Sequence, residues 1–332
     1  MARMIRRVLL LLLLVIGGGA SYVFYTLSTP YAGFDKEAFV DIPPGTSTRG
    51  IARMLEENGV IRSQWVFLAA RALRQGATLK AGEYHFDAPA PASEVLRRIA
   101  AGDIFYYELT VPEGSNQFDI AASLEQLGLM KSAEFRKVAT SPALIQDLAP
   151  DAPSLEGFLF PATYRLTRHT SAQQLAKEMT GRFRRAWKEL NAPAAQVNRT
   201  VTLASLVEKE TGVAADRATV ASVFENRLTR NMTLDCDPTT IYAALLENRY
   251  RGKIYRSDLN NTNPYNTYRH PGLPPGPIAN PGLASLKAAI APAETEYLYF
   301  VAKGDGSGKH TFSTSLAEHN TAVAAYRNGQ QH

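Results

Sequence analysis

The stretch Val201-Thr-Leu-Ala-Ser-Leu-Val-Glu-Lys-Glu-Thr-Gly212 organises the rest of the chain. It reads as a helix that closes at a glycine. At about 100° per residue, Leu203, Leu206, Val207 and Glu210 share one stripe, while Glu208 and Lys209 fall outside it. Glu210 therefore sits where a core helix would carry a leucine. It also sits in the last turn, where the negative end of the macrodipole opposes a carboxylate. Apolar surroundings and the dipole act in the same direction, toward a retained proton, which is the state a general acid needs. The plainer alternative is a solvated glutamate, or half of an ion pair with Arg217 or Arg227. The stretch alone leaves both open.

The flanking residues predict a mixed α+β arrangement around this helix. Upstream, Leu155-Glu-Gly-Phe-Leu-Phe-Pro-Ala-Thr-Tyr-Arg-Leu166 alternates and carries aromatics, as a strand or loop lining a groove would. A long helix is expected over about 171–190. Downstream, a helix over about 216–230 should bury Val220, Val223, Phe224 and Leu228. Leu234 to Ala243 reads as a loop capped into a helix by Asp237, with Pro238 at the first helical position. Asn261 to Gly282, rich in Pro, Gly, Asn and Tyr, is long for a loop in a compact domain, and such loops are usually functional. Tyr297–Ala302 and His310–Ser313 flank a glycine-rich turn and predict a hairpin. That turn, Gly304-Asp-Gly-Ser-Gly-Lys309, lacks the spacing of a phosphate-binding loop. There is no His-Glu-x-x-His, Gly-x-Ser-x-Gly or Ser-x-x-Lys, so zincin, α/β-hydrolase and penicillin-binding chemistries lack support.

Toward the N-terminus an internal repeat appears. Ile42-Pro-Pro-Gly-Thr-Ser-Thr-Arg-Gly-Ile-Ala-Arg-Met-Leu-Glu-Glu-Asn-Gly59 aligns with Val111-Pro-Glu-Gly-Ser-Asn-Gln-Phe-Asp-Ile-Ala-Ala-Ser-Leu-Glu-Gln-Leu-Gly128 at a constant offset of 69 residues. Each copy reads as strand, Pro/Gly turn, amphipathic helix and glycine stop. The first copy continues into a helix over 64–75, a strand within 79–86 and a helix over 93–101. Residues 33–40 read as a linker. Paired strands and helices around a Pro-Gly turn look like a LysM-like carbohydrate-binding module.

The 332 residues allow two or three domains. A net charge of +5, with basic residues dispersed rather than gathered beside stacking aromatics, argues against nucleic acid. Arg3, Arg6 and Arg7 precede an uncharged run whose portion from Val8 to Leu27, about 20 residues, is long enough to cross a bilayer. Tyr22, Phe24 and Tyr25 would lie at the far interface and the arginines in the cytoplasm. A cleaved signal peptide is the runner-up, since Gly17-Gly-Gly-Ala20 supplies small residues. The single cysteine, Cys236, excludes an intramolecular disulfide and a cysteine-based metal cluster, and is expected to be a small, partly buried side chain.

Several blocks then carry a resemblance: Leu155-Glu-Gly-Phe-Leu-Phe-Pro-Ala-Thr-Tyr164, Ala204-Ser-Leu-Val-Glu-Lys-Glu-Thr211, Val220-Ala-Ser-Val-Phe-Glu-Asn-Arg-Leu228, Asp237-Pro-Thr-Thr-Ile-Tyr242, Pro264-Tyr-Asn-Thr-Tyr268, Gly272-Leu-Pro-Pro-Gly-Pro-Ile278, Asn280-Pro-Gly282, Tyr297–Val301, His310-Thr-Phe312 and His319-Asn320. In this order they resemble the endolytic murein transglycosylase (MltG, YceG-like) family over almost the whole chain. The family commonly has Phe-Pro-Asp-Thr-Tyr, where this chain has Ala162. The resemblance implies an α+β protein with a cytoplasmic tail (1–7), a transmembrane helix (8–28), a linker (29–37), a LysM-like module (38–106) and a catalytic domain (107–332) that opens with the second repeat unit (107–150). It implies cleavage of the β-1,4 bond between N-acetylmuramic acid and N-acetylglucosamine, at the periplasmic face of the inner membrane. Glu210 would be catalytic, since the family's essential glutamate is the second of this block. Glu156, Asp237, Thr239, Tyr242, Asn266, Tyr268, His310 and Asn320 are the candidates for touching substrate, each with a structural alternative. No metal or organic cofactor is implied. Partners would be glycan strands, the membrane and cell-wall synthases. A two-carboxylate muramidase and a non-enzymatic wall-binding division scaffold remain as rival readings.

Overall fold

The computed structural model describes residues 2–74, 76 and 78–329. The chain divides into two compact units, one of residues 1–107 with 165–168, the other of residues 108–164 with 169–332.

The first unit begins with helix α1 (Ala2–Ser28) and continues through β1 (Ala38–Ile42), α2 (Thr48–Glu57), α3 (Gln64–Leu73), β2 (Gly82–Phe86) and α4 (Ala92–Ala101). Strands β1 and β2 pair antiparallel, with Ala38 opposite Phe86 and Ile42 opposite Gly82. The alternation in β1 buries Val40 and Ile42 on one face. They close a core with Ile51, Leu55, Phe67, Tyr84, Phe86, Leu96 and Ile99. Ser47 and Ser63 cap α2 and α3 by accepting from the N–H groups of Gly50 and Trp65. Helix α3 stops at Leu73 rather than at Gln75, which lies outside the described residues, because Arg74 leaves helical dihedrals.

The segment expected to be a linker is integrated instead. Leu27 belongs to the core of the unit, the Ser93 hydroxyl donates to the Leu27 carbonyl, and Tyr31 and Ala90 exchange backbone hydrogen bonds. Gly33 N–H donates to the Gly59 carbonyl at 2.7 Å, and Val40 is a strand residue. The backbone groups of this segment find partners inside the unit, which fixes it to the end of α1.

The chain continues through β3 (Tyr107–Thr110), α5 (Gln117–Gln126), α6 (Ser132–Ala139), β4 (Thr163–Leu166), α7 (Ala172–Glu189), α8 (Val197–Glu210), α9 (Arg217–Thr229), α10 (Asp237–Leu246), α11 (Arg256–Leu259), α12 (Leu283–Ile290), β5 (Tyr299–Ala302), β6 (His310–Ser313) and α13 (Leu316–Gly329). Apart from Tyr107 and residues 165–166, these elements make up the second unit. The 69-residue repeat is a repeat of backbone conformation. Helices α2 and α5 start at residues 48 and 117. Gly45 and Gly114 turn with φ of +83° and +77°, and Gly59 and Gly128 with +69° and +67°. These are left-handed positions that favour glycine.

Helix α8 is the centre of this unit, with α9, α10 and α12 packed against it. Every residue from Val201 to Val207 is buried. The stripe reading therefore understates the enclosure: Glu208, outside the stripe, is also covered, its side chain 7% exposed. Its carboxylate accepts from Gly282 N–H at 3.0 Å and lies 3.8 Å from Arg217. The helix ends because Thr211 turns extended (φ −142°, ψ 129°), one residue before Gly212. Residues 155–159 form a buried turn, and only Thr163–Leu166 is strand. Gly157, at φ +86°, lies where a Cβ would meet Pro277 and Val201, so the turn can lie flush against α8. Val220, Val223 and Phe224 are buried as expected, while Leu228 is half-buried. Strands β5 and β6 form the antiparallel hairpin, Tyr299 opposite Ser313 and Ala302 opposite His310.

Candidate active site

The carboxyl end of α8 brings Glu210 to the wall of a cleft of about 410 Å³. That volume is within the range of small-molecule sites. Arg227 from α9, Asp235 and Asp237 at the entrance to α10, Tyr268, Tyr299 and Phe300 of β5, and Leu316 and His319 of α13 complete the wall. A core helix, a surface loop, a hairpin and the last helix thus converge on one carboxyl group.

Glu210 is half-buried, and burial pushes its carboxyl above the ordinary glutamate range. A hydrogen bond from Cys236, His310 and Arg227 act against the rise, and the charge of Asp237 adds to it. The Cys236 thiol lies 3.0 Å from Glu210 Oε1. Burial first, and then the nearby carboxylate, pushes that thiol well above its ordinary range, so it stays protonated and donates to Oε1. Cys236 is fully buried rather than partly buried. Its N–H donates to the Thr267 hydroxyl at 3.1 Å, and its carbonyl accepts from the Thr239 hydroxyl at 2.6 Å. Those bonds lock the thiol in place.

The opposite wall is built from the hairpin and α13. Arg227 is held by the carbonyls of Leu298 and Leu234 at 2.6 and 3.0 Å, and its guanidinium lies over the Tyr299 ring, 5.1 Å from the centroid. Tyr299 stacks on His319, with centroids 5.2 Å apart and planes 23° apart. Burial, and then Arg227, lowers the His319 pKa, so the imidazole is neutral at pH 7. Beside Glu210, Asp235 takes a left-handed φ of +50°, an unusual conformation for a residue with a side chain and one that clusters at functional sites.

The predicted residues distribute unevenly. Glu210, Asp237 and Tyr268 share the cleft. Asp237 does not cap α10. Cys236 holds the N-cap position without a side-chain bond, and Asp237 accepts instead from the Tyr268 hydroxyl at 2.8 Å. Burial and that carboxylate raise the Tyr268 pKa, so the phenol keeps its proton. His310 stands behind Phe300, ring to ring at 5.5 Å, and its backbone and ring nitrogens both approach Asp216 Oδ2, at 2.8 and 3.0 Å.

Glu156, Thr239, Tyr242 and Asn266 are not on the cleft wall; all four are buried in the interior. Glu156 Oε2 accepts from Gln117 N–H and from the Tyr242 hydroxyl at 2.9 and 3.0 Å, and Oε1 accepts from Asn280 at 2.8 Å. It pairs with three neutral donors and no arginine, and burial pushes its pKa up to about 7. Asn266 donates to the carbonyls of Asp258, Leu259 and Asn261, which fastens the start of the 261–282 loop to α11. Asn320 is exposed on α13 and does not line the cleft. Arg227 entered the sequence reading only as an ion-pair partner, and Asp235, Tyr299 and His319 were missed as site residues. The i,i+3 spacing of Leu316 and His319 in a terminal helix was the available signal for a shared face. Among the described residues no group of three or more His, Cys, Asp or Glu side chains is arranged to hold a metal ion.

A carboxyl held above its ordinary range beside an open cleft, with one oxygen fixed by a thiol, can protonate a leaving oxygen and then accept a proton back. Known proteins match most of this chain. An endolytic murein transglycosylase of Bacillus subtilis is 34% identical, over 86% of this chain and 84% of its own length. One from Streptococcus pneumoniae is 30% identical over 93% of this chain, which spans 62% of that protein's length. The 2.6 Å crystal structure of a yceG-like protein from Listeria monocytogenes superposes with a TM-score of 0.54 at 32% identity, covering 86% of this chain and 99% of that one. The YceG-like family model matches residues 40–325, and the chain belongs to the YceG-like family.

Proposed function

We propose that the chain is a membrane-anchored endolytic lytic transglycosylase that cuts peptidoglycan between N-acetylmuramic acid and N-acetylglucosamine and leaves 1,6-anhydromuramyl ends. The observation that carries this reading is the position of Glu210. Among the described residues Glu156 and Glu210 are the carboxyls held above their ordinary range, and only Glu210 opens on the cleft. Glu210 protonates the glycosidic oxygen as the bond to C1 breaks. As carboxylate it then takes the proton from the muramyl C6 hydroxyl while that oxygen closes on C1. The nucleophile belongs to the sugar itself, so one carboxyl serves both steps and proximity replaces a bound water. Tyr268 offers a flat face to N-acetyl sugars, while Tyr299, packed between Arg227 and His319, fixes the wall opposite it.

The relatives named as endolytic murein transglycosylases support the substrate, and the uncharged helix over residues 11–28 supports the anchor. Arg3, Arg6 and Arg7 would hold its N-terminus in the cytoplasm, with the remaining chain periplasmic and close to the cell-wall synthases. The module over residues 38–106 would bind glycan in a LysM-like manner and the domain over 107–332 would cut it, ending nascent strands.

Asp237, a second carboxylate on the same cleft, keeps the hydrolytic muramidase as an alternative. Mass spectrometry of glycans released from sacculi separates the two. The expected fragments lack one water relative to reducing-end muramic acid; reducing ends would reject the transglycosylase mechanism.

The thiol contact makes its own prediction. Activity needs the Glu210 proton, so the rate falls as pH rises through its pKa. Cys236→Ala removes a donor to the carboxylate and should move that basic limb to higher pH. Cys236→Ser should restore it. Superimposable pH–rate profiles for all three proteins would show that the thiol does not act on Glu210.

A further inference from the structure

Helix α3 does not have the polar outer face of an ordinary surface helix. Its inner face buries Phe67 and Ala70. The residues turned away from that core include Trp65, Ala72 and Leu73, with Ala69 half-buried between them, while Leu68 packs against the core. Trp65 is 66% exposed and Leu73 is 73% exposed. The positions 65, 69, 72 and 73 follow helical periodicity, so they form one continuous apolar stripe. From Gln64 to Leu73 the only charged side chain is Arg71, and Arg62 and Arg74 flank the helix at its two ends. An exposed apolar stripe with basic edges and no acidic residue marks an interaction surface rather than a solvated face.

The place of this stripe decides its partner. Helices α3 and α4 pack against the outer end of α1, and Leu27 of α1 is part of the core of the unit. The first turn of α3 stands beside that end: Arg62 and Val66 share a small cavity with Tyr25 and Thr26. Tyr22, Phe24 and Tyr25 are themselves exposed on α1 at the same level. The Arg62 guanidinium lies over the Tyr31 ring at 5.3 Å, just past the end of α1. Because the segment between α1 and β1 is hydrogen-bonded into the unit, the orientation of α3 against α1 is built into the fold.

We propose that the outer face of α3 rests in the headgroup layer of the bilayer that α1 crosses, with Trp65 and Leu73 at the acyl boundary and Arg62 and Arg74 toward lipid phosphates. This rests on the reading of α1 as a membrane anchor. Tryptophan suits this boundary because its ring is apolar and its N–H is polar. Arginines beside the stripe add attraction to anionic lipid. The consequence is a first unit held flat against the membrane as a rigid base, rather than swinging on a tether.

The chain holds two tryptophans, which makes the test direct. Trp187 is buried and stacks on Phe183 within the second unit, so lipid contact reports on Trp65. The full chain is reconstituted in vesicles containing phosphatidylglycerol, with lipids brominated at shallow or deep acyl positions. The expected result is loss of tryptophan emission, strongest with the shallow label, that disappears in Trp65→Phe. Chain that floats with the vesicles but shows the same emission with and without bromine keeps its anchor and overturns the proposal. Emission that instead shifts only on adding glycan strands assigns the face to the wall and also overturns it. Failure to float rejects the anchor, and the proposal with it.

Discussion

Glu210→Gln is expected to fold as the parent chain does and to lose roughly 100- to 10,000-fold of its rate on isolated sacculi, the range for removal of a general acid. The amide keeps the shape of the side chain and an oxygen for the Cys236 thiol, which lies 3.0 Å from Oε1. What it lacks is a proton to give. Stability moves the other way. Burial raises the Glu210 pKa, so ionisation destabilises the folded state as pH rises, and glutamine removes that cost. A less active but equally or more stable variant is the signature of a group held in a costly state for chemistry. Release rates of soluble muropeptide and a thermal melt together read both effects. A fully active Glu210→Gln would favour the non-enzymatic scaffold.

Glu156→Ala is expected to fail in the opposite way, through folding. It would leave Gln117 N–H, the Tyr242 hydroxyl and the Asn280 amide without the carboxyl that receives all three in a sealed site. An unsatisfied buried donor costs about 1–3 kcal/mol, and the three together should lower stability by about 3–5 kcal/mol because neighbouring losses do not add fully. A urea midpoint at pH 7 measures this. The same residue predicts a pH dependence. Its pKa stands at about 7 in the fold against 4.5 ordinarily, so the folded state holds more protons between those values. This contribution to stability is complete below about pH 4.5 and declines as pH rises through 7, by about 3 kcal/mol in total. Glu156→Gln should flatten that decline. A decline unchanged in the glutamine variant would mean that Glu156 is ionised throughout.

These two glutamates also show what the sequence could carry. The periodicity around Glu210 placed a carboxyl on an apolar stripe, and burial follows from local pattern. The glycines at 45, 59, 114 and 128 announced their left-handed turns through spacing alone. Glu156 was misplaced because a block of aromatics and turn residues reads the same whether it lines a groove or is sealed beneath one. Its donors come from residues 117, 242 and 280, far apart in the chain. Asp237 before a proline matches a helix cap, but the Tyr268 hydroxyl competes for its carboxylate across 31 residues. Tyr299 and His319 share the cleft with Glu210 only because the hairpin packs on α9 and α13 packs on the hairpin. No local periodicity encodes that return. The linker expectation failed for a related reason: Gly33 is a turn residue by composition, but its N–H pairs with Gly59.

The central claim is that the cleft holds the Glu210 carboxyl above its ordinary range. Carbon-13 NMR of the glutamate side-chain carboxyls in the full chain, with Glu210→Gln identifying the resonance, titrates that group directly. The resonance should titrate above the ordinary value of 4.5 and move further up in Cys236→Ala. A Glu210 carboxyl that ionises at or below 4.5 would contradict the account.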